Sequence, residues 1–283
     1  MNQDHNKIKG KSLLCWAGAY VFAAAAVIAG ILPFIFMVLN SFKTKFEMLT
    51  KGVFSLPASL NFKNYQGVLQ GGFVRYFGNS GFVLLLSLFL ILFIAACASY
   101  PLARFRFRLN GLVFGLIVAC MAIPIHITLI PVFQMTKRAG IYDSLWALIG
   151  PDVAFALPIS VFILTNFMKG IPVEIEESAE MDGCSKYRMF FQIILPLTKP
   201  GISTLAIYNG VNIWNEFSFS YTLTQSVKNR TLPLAVWDFQ GQYAMNTPMI
   251  MAVLTLTVLP MILLFIFAQD KLIKGMTSGA VKG

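Results

Sequence analysis

Four stretches of this chain contain no Asp, Glu, Lys or Arg: Ser12 to Phe42, Tyr76 to Ala103, Leu109 to Thr136, and Phe239 to Gln269. Each exceeds the roughly 20 residues that an α-helix needs to cross about 30 Å of hydrocarbon. Two weaker apolar stretches add to them. Ser144 to Met168 is interrupted only by Asp152, and the shorter Gly201 to Phe217 carries polar side chains. Backbone N–H and C=O groups find no water at that depth, so the spans must be helices. The expectation is an all-α membrane protein with six transmembrane helices. Composition supports it. Only 12% of the 283 residues are charged and 57% are hydrophobic, too little charge to clothe a soluble domain. A soluble enzyme, a disordered chain and a disulfide-framed chain are excluded.

The first span is longer than a signal-peptide core and ends without a small-residue cleavage pattern, so it reads as a retained helix. Cys15, Cys97 and Cys120 fall within spans and Cys184 in a loop, which suits small hydrophobes better than a disulfide framework. The net charge of +10 lies around the ends of the spans. It points to orientation and contact with membrane lipid, not to nucleic acid. Arg104, Arg106 and Arg108 crowd one short link, and the positive-inside bias then places that link and both termini in the cytoplasm. Pro124, Pro131, Pro151 and Pro158 are expected to bend their helices. Gly111 and Gly115 form a small-xxx-small face suited to close helix approach.

One loop is far longer than a helix bundle requires. Residues 167–200 separate spans 4 and 5. Pro172 suits a first helical turn, with Glu174, Glu176 and Glu177 near its positive end, and Asp182-Gly183 breaks the helix. Ser185 can cap a second helix whose apolar face is Tyr187, Phe190, Phe191 and Ile194. Acids concentrated at one end would be repelled by an anionic leaflet, so this projection suits a protein partner better than a lipid surface.

The segment Glu177-Ser-Ala-Glu-Met-Asp-Gly183, followed by Ile194-Leu-Pro196, resembles the EAA loop of ABC importer permeases. Trp214-Asn-Glu-Phe217, Thr231-Leu-Pro-Leu234 and the ending Gln269 to Gly283 extend the likeness to the MalG-like permeases of the carbohydrate uptake-1 group. The resemblance implies a MetI-like permease fold with an additional N-terminal helix. It divides the chain into a helix and extracytoplasmic loop (1–77), a five-helix core (78–268) and a cytoplasmic tail (269–283). It also implies a homologous MalF-like permease subunit, two ATP-binding subunits that use ATP and Mg, an extracytoplasmic solute-binding protein, a carbohydrate substrate and a bacterial cytoplasmic membrane. In that family the loop is the coupling helix on the ATPase, a role carried here to Glu177, Ser178, Ala179, Asp182 and Gly183. The expected function is alternating-access import without covalent chemistry. The alternative is a self-contained carrier or channel for a small polar solute.

No catalytic, cofactor or metal motif is evident, and no enzyme is expected. Asn209, Asn212 and Glu216 are spaced to share one face of span 5, with Asn215 adjacent. Polar groups at membrane depth avoid lipid, so these line a translocation path or form interhelical hydrogen bonds, or Glu216 lies at the outer boundary where burial is partial. His126 and Asp152 are fainter candidates. Gly10-Lys-Ser12 imitates the end of a P-loop, but His5 stands where that motif requires its first glycine. Nucleotide titration of the purified chain is therefore expected to show no ATP binding; saturable binding would return ATP hydrolysis to this subunit.

Overall fold

The computed structural model describes the backbone of residues 2–242 and 246–280, and the side chains of residues 16, 18–239 and 246–267. The side chains of Gly10-Lys-Ser12, Cys15 and the 269–283 tail lie outside the described residues. The described secondary structure is entirely helical: α1 (Asn2–Ser41), α2 (Lys45–Lys51), α3 (Lys63–Val68), α4 (Val74–Arg104), α5 (Asn110–Cys120), α6 (Leu129–Arg138) and α7 (Trp146–Lys169). There follow α8 (Glu174–Met181), α9 (Lys186–Met189), α10 (Leu195–Leu197), α11 (Lys199–Trp214), α12 (Ser218–Leu223), α13 (Leu232–Gln242) and α14 (Thr247–Ala280).

Four of the expected spans are continuous helical stretches, within Gly18–Ser41, Lys63–Arg104, Trp146–Lys169 and Thr247–Phe267. The other two belong to bent pairs, which bring the total to six if each pair is one span. Span 3 breaks by 91° between Asn110–Cys120 and Ile125–Arg138. Pro124 explains the site of the break. It adopts an extended ψ of 133°, lacks an N–H, and disfavours helix at the residue before it. Pro151 and Pro158, by contrast, lie inside a single continuous α7. At Gly111 and Gly115 an added Cβ would meet nothing within 4 Å, so the expected close approach is absent among the described residues.

Packing defines two compact units, residues 1–71 with 239–258, and residues 72–238 with 259–283. In the first, the segment after span 1 carries the short helices α2 and α3 and a buried polar cluster. Lys43 is fully buried, and its Nζ donates to the Gly52 and Val53 carbonyls, both at 3.1 Å. Asn64 Nδ2 donates to the carbonyls of Ser41 (2.7 Å) and Lys43 (2.8 Å), and Glu47 Oε1 accepts from Ala58 N at 2.6 Å. Burial pushes the Lys43 ammonium below its ordinary value, while the Glu47 carboxylate opposes that shift. These side chains thus satisfy the backbone groups of the segment between them. Gly71 leaves room nearby for the Phe239 ring, which a Cβ at that position would approach to 2.7 Å and displace.

The second unit is organised by α4 packed along α7. Buried side chains form three successive groups beside this pair. Val83, Leu148 and Phe219 lie in one, Ile91, Ile149 and Val153 in another, and Ala95, Leu164, Met168 and Ile194 in the third. Small residues allow the approach, and Ser99 Oγ donates to the Val161 carbonyl at 3.2 Å. The start of α4 holds residues 228–238 through Asn79, Ser80 and Tyr76. Tyr76 Oη donates to Asp238 at 2.5 Å, and Ser80 Oγ accepts from Leu232 N at 2.8 Å.

Before α7, Asp143 adopts a positive φ of 54° and clips a second loop. Its Oδ1 accepts from the backbone N–H groups of Gln225 and Ser226, each at 2.8 Å, and its Oδ2 from the Ser226 hydroxyl. Desolvation raises the carboxyl pKa, but these bonds and one from Asn229 outweigh it and hold the value at about 2. The folded value lies below the usual one near 4, so the clip stabilises above that pH and fails as pH falls toward 2. Asp143→Ala is expected to cost about 1 kcal/mol at neutral pH, after allowance for solvent screening. The difference in unfolding temperature from the wild type should close between about pH 4 and pH 2. A difference that persists unchanged at the acid end would mean the carboxylate does not supply the clip.

Candidate functional site

The residues expected to face an ATPase lie on α8 and the turn that ends it. Glu177 and Ser178 are exposed, Ala179 is buried, and Asp182 and Gly183 are exposed at the bend. The bend is chemically specified. The Gly183 N–H donates to the Glu180 carbonyl (2.9 Å) and the Cys184 N–H to the Ala179 carbonyl (2.9 Å), a Schellman closure that requires the left-handed φ of 76° found at Gly183. Ser185 then caps α9, its Oγ accepting from Arg188 N at 3.4 Å.

Sequence reading assigned all the acids of this segment to an exposed end, and Glu176 corrects it. Its side chain is buried, and the Arg104 Nε at the end of α4 donates to its Oε1. Tyr100 Oη donates to Oε2 at 3.2 Å, and Arg104 Nη2 also donates to the Ile171 carbonyl at 2.8 Å. The inner edge of α8 is thus fastened to α4, with Ala179 packed into the apolar group beside it. Arg104 had been read only as a topogenic charge. The signal available was the three-residue spacing of Glu176 and Ala179, which places them on one helical face. A cleft of about 640 Å³ opens between the Arg104–Phe107 link and α8, lined by Arg106, Lys169, Glu177 and Glu180 among others.

The second helix of the loop also differs from expectation. A π-helical turn at Phe190–Ile194 shifts the register, so Met189, Phe190 and Ile194 are buried while Tyr187 is 84% exposed and Phe191 52% exposed.

The polar residues of span 5 converge on one cavity of about 380 Å³, which Asp152 of α7 also lines. Asn209 is buried and donates through Nδ2 to Ser160 Oγ at 2.9 Å. Asn212 and Asn215 donate to the carbonyls of Tyr208 (2.9 Å) and Val211 (2.8 Å). The shared helical face predicted for Glu216 does not hold, because α11 ends at Trp214. Glu216 reaches the cavity lining by another route. Its two oxygens accept from Phe219 N (2.7 Å) and Ser220 N (3.0 Å), the free donors at the start of α12. His126 is exposed in the break of span 3 and does not line the cavity. Among the described residues, no group of three or more His, Cys, Asp or Glu side chains could hold a metal.

Residues 90–278 match the family of binding-protein-dependent transport system inner membrane components. The chain is 48% identical over 264 residues to a protein of Caldicellulosiruptor sp. (strain Rt8B.4) designated ABC transporter permease protein ORF2, covering 93% of this chain and 96% of that one. It is 33% identical to the melibiose/raffinose/stachyose import permease protein MelC of Bacillus subtilis (strain 168), covering 93% and 95%. Among solved structures, a bacterial ABC transporter involved in import of the acidic polysaccharide alginate superposes with a TM-score of 0.75 at 20% identity, over 95% of this chain and 98% of that one. The inward-facing MetNI methionine ABC transporter superposes at 0.60 and 18% identity, over 73% and 97%, so the fold is of the MetI-like permease type. With more than half its length matched and near-complete overlap with its relatives, the chain belongs to the binding-protein-dependent transport system inner membrane components: it is a membrane permease subunit of an ABC-type importer, and not an enzyme.

Proposed function

We propose that the chain is the MalG-like half of a carbohydrate importer in a bacterial cytoplasmic membrane, with both termini cytoplasmic. It pairs with a MalF-like permease, takes solute from an extracytoplasmic binding protein, and is driven by two ATP-binding subunits that consume ATP with Mg. Relatives named for melibiose, raffinose and stachyose, for arabinooligosaccharides and for starch degradation products support a carbohydrate cargo. The N-terminal helix would be accessory to a core formed by the later spans.

The observation that carries this reading is the two-sided character of α8. Its buried edge is fastened by Glu176 to Arg104, while Glu177, Ser178 and Asp182 point away from that attachment and are exposed. A short helix held in this way can receive a push from a separate motor and deliver it to α4. The Asn209, Asn212, Asn215 and Glu216 cavity would be this subunit's share of the translocation path, where polar side chains at membrane depth replace water around a solute.

Reconstitution of the four-subunit membrane complex, with ATP hydrolysis measured in the presence of the solute-loaded binding protein, tests the assignment. Gly183→Val forces a β-branched residue into the left-handed region at about 1–2 kcal/mol and is expected to remove stimulated hydrolysis while assembly persists. Full stimulation in that variant would dismiss α8 as the coupling element. Removing one partner of a buried ion pair typically costs about 3–5 kcal/mol. Arg104→Met is therefore expected to give hydrolysis no longer governed by the binding protein, and the double change Arg104→Met, Glu176→Leu should restore assembly better than the single one. An Arg104→Met complex with normal stimulation and normal uptake would show that the anchor carries no force.

A further inference from the structure

We infer that the segment from Lys45 to Lys63 is a membrane-surface element, seated at the boundary between headgroups and acyl chains of the leaflet in which α1 ends. Its partner is phospholipid. This holds whichever side of the membrane that leaflet faces.

The segment turns its polar groups inward and its apolar ones outward. Lys43, Glu47 and Asn64 are committed to backbone groups of the segment and its flanks. Phe46 and Leu49 of α2, three positions apart on one helical face, are exposed, while Glu47 and Met48 are buried. Phe54, which is 89% exposed, and Leu56, Leu60 and Phe62 continue the apolar surface. A patch of this kind on a polar, hydrogen-bonded scaffold marks a contact with a membrane or a protein.

Three observations favour lipid. First, the segment returns along α1 after leaving it. Lys43 Nζ holds the Gly52 and Val53 carbonyls at 3.1 Å, and the Phe54 ring lies 5.8 Å from the ring of Phe36. Phe36 precedes Ser41, the last residue of α1, by five positions, which is about 7 Å along the helix axis. Interfacial elements bury their apolar faces to a similar depth, about 5–10 Å. Second, the surface that the segment joins is itself unburied. The most apolar stretch of Gly18–Ser41 has no buried residue, and Ile35 beside Phe36 is exposed. Third, the outward charge is of one sign. Lys45, Lys51 and Lys63 are exposed, and Glu47, the only acid between residues 45 and 63, is buried. Lys51 stays half-exposed despite its 3.7 Å ion pair with Glu47. Lysines around an apolar face lay their stems along it and reach phosphate oxygens with their ammonium groups.

Photocrosslinking tests this in the importer assembled with its partner subunits and binding protein, in nanodiscs of phosphatidylethanolamine and phosphatidylglycerol. p-Benzoylphenylalanine takes the place of Phe54 or Leu49, with Ile28 in the body of α1 as the reference position. Mass spectrometry of the irradiated chain is expected to show phospholipid adducts at positions 54 and 49, at yields within about threefold of that at position 28. The double change Phe54→Glu, Leu56→Glu should lower the adduct at position 49 by at least about fivefold while the subunits still co-purify. Adducts to a partner subunit or the binding protein in place of lipid would overturn the inference. So would yields near zero beside a normal reference, or a yield at position 49 unmoved by the double change. The yields at positions 54 and 49 decide the matter even where the double change disturbs assembly.

Discussion

The ion pair between Arg104 and Glu176 is the interaction on which the arrangement of the second unit depends. Both side chains are almost entirely buried, and each would be expensive alone in that position. Pairing is only part of the solution. Tyr100 occupies the second carboxylate oxygen, and the guanidinium also satisfies the Ile171 carbonyl at the start of the loop. A buried network of this kind favours one geometry, because any slip of α8 along α4 strands a charge, a hydroxyl and a carbonyl together. Hydrophobic contacts from Ala179, Met189 and Ile194 supply attraction but little register. The polar network supplies the register.

The same economy of polar groups governs the places where helices stop. Inside a membrane an interrupted helix exposes donors and acceptors that must be answered locally. The end of α11 shows one answer, with Glu216 receiving the free N–H groups of α12 and joining the lining of the cavity. The loop before α7 shows another, in which Asp143 accepts from two backbone N–H groups of the 224–230 segment. The break of span 3 is driven by Pro124 instead. Three interruptions thus have three different chemical causes, and of these three only the one at Glu216 places an acidic side chain on the lining of the cavity.

The spans were legible from charge-free runs, since hydrocarbon tolerates so few alternatives. The break of span 3 was less so, because composition does not say which proline ends a helix: Pro124 does, while Pro151 and Pro158 sit within an unbroken α7. The bend at Asp182-Gly183 was readable for a local reason, a Schellman closure that requires left-handed backbone. Glu176 was misread for a non-local one, since its partner lies 72 positions earlier. Glu216 was assigned to the right region by the wrong periodicity, because helical spacing was extended past the end of α11 at Trp214. The segments Trp214–Phe217 and Thr231–Leu234, which carried the family likeness, prove to have structural work. Trp214 is buried with its ring 5.6 Å from that of Phe77, and Thr231 donates to Ser220.

On the proposed reading, one route for a push on α8 to reach the cavity runs through α4 and α7, the first fastened to α8 and the second lining the cavity. α4 receives the ion pair at its C-terminal end, and α7 carries Asp152 on the cavity wall. The two are joined between those points by Ile91, Ile149 and Val153 and by the Ser99 to Val161 bond. Close-packed interiors do not absorb displacement gradually; they shift as bodies or change arrangement at defined places. A rigid α4–α7 pair would therefore turn movement of α8 into movement of Asp152 against α11, where Asn209 and Ser160 share a single hydrogen bond. Apolar packing joins the same two helices, with Gly201 of α11 set against Phe167 and Leu164 of α7 and Leu205 in the same buried group. On this reading the ion pair keeps α8 attached to α4, and the packed α7–α11 contact passes its movement on to the cavity wall.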